Sequence, residues 1–93
     1  MSKKYATSPL AQLRVKKGLS QVHTAHLLGY KWKQHLSHIE TGRVMASKDV
    51  LIKMADLYAV SQRVVLSAAI ATWESGVMSM RHKARKIRLQ KTG

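Results

Sequence analysis

The sequence predicts a small all-α domain of five helices, and three observations carry that expectation. Ninety-three residues are enough for one hydrophobic core and too few for two. Apolar residues recur at steps of three and four through most of the chain, the period of an amphipathic helix. Serines stand where helices should begin (Ser8, Ser20, Ser47, Ser61), and glycines stand where the first three should end (Gly18, Gly29, Gly42).

Helix 1 starts at Ser8-Pro9, with serine as cap and proline at the first helical position, where its missing N–H costs nothing. It should run to about Lys17 and bury Leu10 and Leu13. Helix 2 spans Gln21 to Leu28, with Val22, Ala25 and Leu28 facing inward and His23, Thr24 and His26 on the remaining faces. Gly29 closes it, because a residue without Cβ enters the left-handed conformation freely. Helix 3 runs from about Trp32 to Glu40, with Leu36 and Ile39 on the core face. Its outward residues are Lys33, Gln34, Ser37 and His38, with His35 at the margin. Helix 4 follows Ser47, with Asp49 favouring the positive helix end. Leu51, Met54, Ala55 and Tyr58 recur at 0, 3, 4 and 7 and should face the core. Helix 5 follows Ser61 and carries Val64, Val65, Leu66, Ala68, Ala69, Ile70 and Trp73, more apolar surface than one flank of such a domain needs. Gly76 should break this pattern.

The charge is the second strong signal. Seventeen Lys and Arg stand against four acids, a formal net charge of +13. That excess is the electrostatic footprint of a polyanion binder. An anionic membrane surface competes as the polyanion, but no apolar run approaches membrane length and the N-terminus has no hydrophobic stretch, so no membrane partner is expected. With no cysteine there is neither disulfide nor thiolate metal site, and a cytoplasmic location is expected. His23/His26 and His35/His38 have the spacing of chelating pairs, yet no carboxylate accompanies them in helix 2, and no metal or other cofactor is expected. The acids are scattered and no Ser or His has an evident orienting partner, so the chain does not read as an enzyme.

Leu19-Ser20-Gln21, Ala25, Leu28-Gly29 and Ile39-Glu40-x-Gly42-Arg43 form an ordered set that resembles the helix-turn-helix of the phage-repressor superfamily (Cro and lambda-repressor type, or XRE). The resemblance extends back to Leu10 and Arg14 and forward to Leu51, Met54, Ala55, Tyr58 and Val60, covering roughly residues 9 to 72. It implies a lambda-repressor-like DNA-binding domain over 9–75, preceded by a basic arm (1–8) and followed by a basic extension (76–93). The resemblance further implies a small transcriptional regulator, a repressor in most such cases and often of its own promoter. It would bind a pseudo-palindromic operator in double-stranded DNA as a homodimer.

Residue roles follow from the same resemblance. Helix 3 would enter the major groove. Lys33 there can donate to guanine, Gln34 can bond adenine bidentately, and Ser37 and His38 can donate or accept. Gln21, Lys31, Trp32, His35 and Arg43 are expected at phosphates, Gln21 with help from the helix N-terminal amides. Arg14 lies one turn beyond the buried Leu10 and needs a carboxylate. The only acid in the first 48 residues is Glu40, and the family pairs these two positions in a salt bridge. Helix 5, through Val65, Ile70 and Trp73, is the candidate dimer surface. Two departures from the family stand out: helix 3 lacks a Ser or Thr cap, and Ala59-Val60-Ser61 replaces the usual Gly-Val-Ser after helix 4.

The two ends stay open at this stage. The arm, with Lys3, Lys4 and Tyr5, is either solubilising or reaches DNA. The extension reads as a disordered tail, as an extra helix or strand that swaps across a dimer, or as a DNA-clasping element. Two other functions remain: an antitoxin that binds a toxin through residues 73–93, or a non-specific nucleic-acid binder held by charge alone.

Overall fold

The structure is a computed structural model that describes residues 7–92, with side chains as far as Met78. Five helices follow in order: α1 (Pro9–Lys16), α2 (Gln21–Leu27), α3 (Lys33–Glu40), α4 (Lys48–Tyr58) and α5 (Gln62–Thr92). Among the described residues there is no strand, so the chain is all-α as the periodicity predicts. Residues 1–6 of the expected N-terminal arm lie outside the described residues.

Four of the five helix starts are held by serine hydroxyls. Ser8 Oγ accepts from the Ala11 amide at 3.1 Å, Ser20 from His23 at 3.1 Å, Ser47 from Val50 at 3.3 Å and Ser61 from Val64 at 3.2 Å. Each satisfies an amide that would otherwise have no intrahelical partner. α3 is the exception: Trp32 occupies its cap position and makes no side-chain bond.

The helix ends share one device. After α3 the Arg43 amide donates to the His38 carbonyl at 2.9 Å and the Gly42 amide to Ile39 at 3.2 Å, with Gly42 at φ +81°. This is the Schellman closure, which returns orphan carbonyls to the backbone through one left-handed residue. After α4 the same pair of bonds forms from Val60 to Ala55 (3.1 Å) and from Ala59 to Asp56 (3.3 Å). Here the left-handed residue is Ala59, at φ 55°, where glycine would be unstrained.

One core joins all five helices. Leu10, Ala25, Leu28, Leu36, Ile39, Met54, Ala55, Tyr58, Val65 and Ala69 are buried together, with Leu13, Leu19 and Leu51 packed at its edge. Two inward assignments change. Val22 is 51% exposed, whereas Thr24 is fully buried. In α2 the buried face is Thr24, Ala25 and Leu28, one position round from the stripe that starts at Val22. Val65 also leaves the candidate dimer surface, because it has no exposed area and belongs to the core of its own chain.

α5 presents its residues in two adjacent rows. Val65, Ala69 and Thr72 are buried, and Gly76 continues that row at the same spacing. Thr72 Oγ1 accepts the Leu10 amide at 3.2 Å and donates to the Ala68 carbonyl at 2.8 Å, fastening the start of α1 to α5. The row one position further, Leu66, Ile70, Trp73 and Val77, is exposed or half-buried.

Gly76 does not break the helix; α5 continues through it to Thr92. The glycine serves close packing instead. A Cβ on Gly76 would lie 2.8 Å from Gly42 Cα and would strike the Gly42 carbonyl. A Cβ on Gly42 would lie 3.0 Å from Gly76 Cα and would strike the Thr72 carbonyl. All these obstacles are backbone, which cannot swing aside, so two glycines are what lets α5 cross the end of α3.

Ala59→Gly should stabilise the chain by about 0.5–1 kcal/mol, since relief of the left-handed strain exceeds the entropy gained by the unfolded chain. Ala59 is exposed and loses no packing. Thermal unfolding should show a Tm raised by several degrees; a lower Tm would contradict this account.

Candidate nucleic-acid interface

The outward face of α3 is positioned by its last residue, Glu40. Its carboxylate is buried, and three donors converge on it from the two preceding helices. Arg14 Nε donates to Oε2 at 2.7 Å and Arg14 Nη2 to Oε1 at 3.2 Å. Gln21 Nε2 adds a bond to Oε1 at 3.0 Å. Arg14 Nη1 turns to the Leu19 carbonyl, 2.8 Å away in the loop between α1 and α2. The Arg14 and Glu40 side chains are only 13% and 4% exposed, so both charges sit away from water and depend on these bonds.

Tyr58 packs into the same region. Burial raises its pKa above the ordinary phenol value. The Glu40 charge adds to that shift and the Arg14 charge opposes it. Its hydroxyl and that of Thr24 are buried without a hydrogen-bond partner among the described residues.

With Glu40 enclosed, the surface from α2 to the turn after α3 displays no acid and several cations. Lys33, Gln34, His35 and His38 are exposed along α3, and Ser37 is half-buried. The Ser37 carbonyl accepts the Thr41 hydroxyl at 2.9 Å, which finishes the helix without using the serine side chain. At the leading edge Lys31 is exposed, and Trp32 is 61% exposed rather than folded over the turn. The His35 ring lies 5.3 Å from the Tyr30 ring and tilts 47° to it, which orients the imidazole against the turn. Burial raises the pKa of Tyr30. At the trailing edge Arg43 is exposed and its backbone is fixed by the Schellman closure.

The structure thus gathers Lys31, Trp32, Lys33, Gln34, His35, Ser37, His38 and Arg43 on α3 and the turns at its two ends. Gln21 is different. It is half-buried and its amide is engaged by Glu40, so the side chain braces α3. Neither this bond nor the role of the Leu19 carbonyl leaves a signal in the sequence, because both are set by how α1 and α2 meet in space. Ile70 and Trp73 lie on α5 rather than on α3 or its flanking turns. Among the described residues no three of His, Asp and Glu gather as a metal site, and no helix is long and apolar enough to cross a membrane.

A family model described as a helix-turn-helix domain matches residues 9–68, from the start of α1 into the first turns of α5. No curated protein and no solved structure matched.

Arg14→Ala should cost about 3–5 kcal/mol, because it leaves the Glu40 charge buried with one weak neutral donor. Urea denaturation followed by circular dichroism measures this. A loss under about 1 kcal/mol would mean that the pair behaves as an exposed one.

Proposed function

The chain belongs to the helix-turn-helix domain family, and on that premise we propose that it is a sequence-specific transcriptional regulator, a repressor by occlusion of a promoter, with α3 as the recognition helix. The observation that carries this reading is the exposed, acid-free face of α3, anchored at the last residue of the helix by the Arg14–Glu40–Gln21 cluster. A recognition helix must offer base-reading groups at fixed positions. Gln34 suits adenine N6 and N7, Lys33 suits guanine O6 and N7, and Ser37 and His38 stand one turn further on. Lys31, Trp32, His35 and Arg43 flank them and would meet phosphates, which fix register and carry no sequence information. For Gln21 the helix N-terminal amides remain available to a phosphate while its side chain holds Glu40.

The exposed row on α5 supports a homodimer. Leu66 is 47% and Ile70 41% exposed, and Trp73 and Val77 extend the same row. Four apolar residues in line on one helix suit a second copy of that helix, related by a two-fold axis. Two recognition helices would then meet half-sites about 34 Å apart, one turn of DNA.

Fluorescence anisotropy against the DNA upstream of the chain's own gene, with a scrambled duplex as control and both titrated across salt, tests the reading. A preference of about a thousandfold or more is expected. Equal affinity for both duplexes, falling steeply with salt, would reduce the function to phosphate binding.

Gln34→Ala should cost roughly 1–3 kcal/mol on the best site and relax base preference at one position. Arg43→Ala should weaken all duplexes alike and lower the salt slope by about one. The same titrations read both; unchanged preference in Gln34→Ala would put α3 in the wrong register. In Ile70→Glu, sedimentation equilibrium should show a monomer with the circular dichroism of the parent. A dimer that survives this change uses another face.

A further inference from the structure

We propose that the C-terminal half of α5 is a second, sequence-independent DNA-contacting element, which grips the phosphate backbone beside the half-site that α3 reads. This rests on the recognition-helix reading above and adds to it a surface outside the matched domain.

Three observations converge on it. α5 is one continuous helix of 31 residues, so the chain beyond Gly76 leaves the core as a helix. It leaves at a defined place, because the backbone of Gly76 abuts that of Gly42. Gly42 immediately precedes Arg43, which flanks the recognition helix. Finally, Glu74 is the last acid in the sequence. Beyond it Arg81, Lys83, Arg85, Lys86, Arg88 and Lys91 are the formally charged side chains, and all are positive.

The dimensions suit a duplex. From Val77 to Thr92 the helix rises about 24 Å at roughly 1.5 Å per residue. Double-stranded DNA carries one phosphate per about 1.7 Å of axis, so a length of that order faces many phosphates. A segment that starts beside the recognition helix and carries only positive charge would add to affinity on any sequence. It would leave discrimination to Lys33 and Gln34.

The test uses the full chain with Arg81→Gln, Arg85→Gln and Arg88→Gln combined. Glutamine keeps a helix propensity close to that of arginine, so the helix is preserved while three charges are removed. Binding is measured by anisotropy on an upstream duplex and on a scrambled duplex of equal length, across salt. The slope of log affinity against log salt should fall by about 2–3 on both duplexes. The ratio of affinities between them should stay within about threefold of the parent. The matching triple lysine variant should restore the slope.

An unchanged slope on both duplexes overturns the proposal. So does a triple glutamine variant that keeps the slope but loses its dimer mass, which would make the segment a self-association element. Unchanged DNA binding with lost binding to phosphatidylserine vesicles would likewise assign it to a membrane surface. The recognition-helix reading fails separately, when the parent chain shows no preference for the upstream duplex. The slope difference remains readable even then, because phosphate contacts do not depend on sequence.

Discussion

Glu40 is the residue on which the arrangement of the first three helices turns. It ends α3, and its carboxylate receives Arg14 from α1 and Gln21 from the first position of α2, while Arg14 also holds the Leu19 carbonyl between them. A buried ion pair is poor evidence of stability in itself, since removing two charges from water offsets most of their attraction. Its effect here is directional. An apolar contact in the same place would tolerate sliding by a fraction of a turn, whereas a forked guanidinium on a carboxylate does not. The forked bond therefore fixes the rotation of α3 about its own axis, and with it the directions in which Lys33, Gln34 and His38 leave the helix.

α5 does the complementary work from the other end of the chain. Its buried row meets the core through Val65 and Ala69, captures the first turn of α1 through Thr72, and reaches the end of α3 through Gly76. The C-terminal end of α3 is therefore braced twice, by charge at Glu40 and by backbone contact at Gly42. The neighbouring row on the same helix is left apolar and uncovered. One helix thus has an inner face that completes the core and an outer apolar face that this core leaves exposed or half-buried.

Much of this was legible in the sequence, and the parts that were not have physical reasons. The serine caps and the glycine ends are local chemistry, so Ser8, Ser20, Ser47, Ser61, Gly18, Gly29 and Gly42 announce the helix boundaries. The stripe of α4 is long enough for its phase to be unambiguous. α2 has only seven residues, and two stripes one position apart fit it equally well. Polarity alone favours Val22 as the inward residue, although Thr24 is the buried one. In α5 apolar residues surround the helix, so periodicity could not separate Val65, which is inside, from Ile70, which is outside. Gly76 is ambiguous for a related reason: a glycine that ends a helix and a glycine that admits a crossing backbone are alike in sequence, and only the partner, here Gly42, separates them. The exposed residues of α3 were legible as a face, but nothing in the sequence disclosed that Gln21 is tied to Glu40.

The glycine crossing has a consequence for how such a chain can change over time. Because α5 is a single helix pinned at Gly76, anything beyond that point inherits its angular setting from the pin. Adding or removing one residue between Gly76 and the basic segment would rotate that segment by about 100° around the helix axis and advance it by about 1.5 Å. A single-codon insertion there would leave the core, the caps and α3 untouched, yet turn the one stripe of like spacing in that segment, Arg81, Arg85 and Arg88, away from its original setting. If that stripe grips DNA as proposed, length variation in this stretch is tolerated in whole turns, in steps of three or four residues.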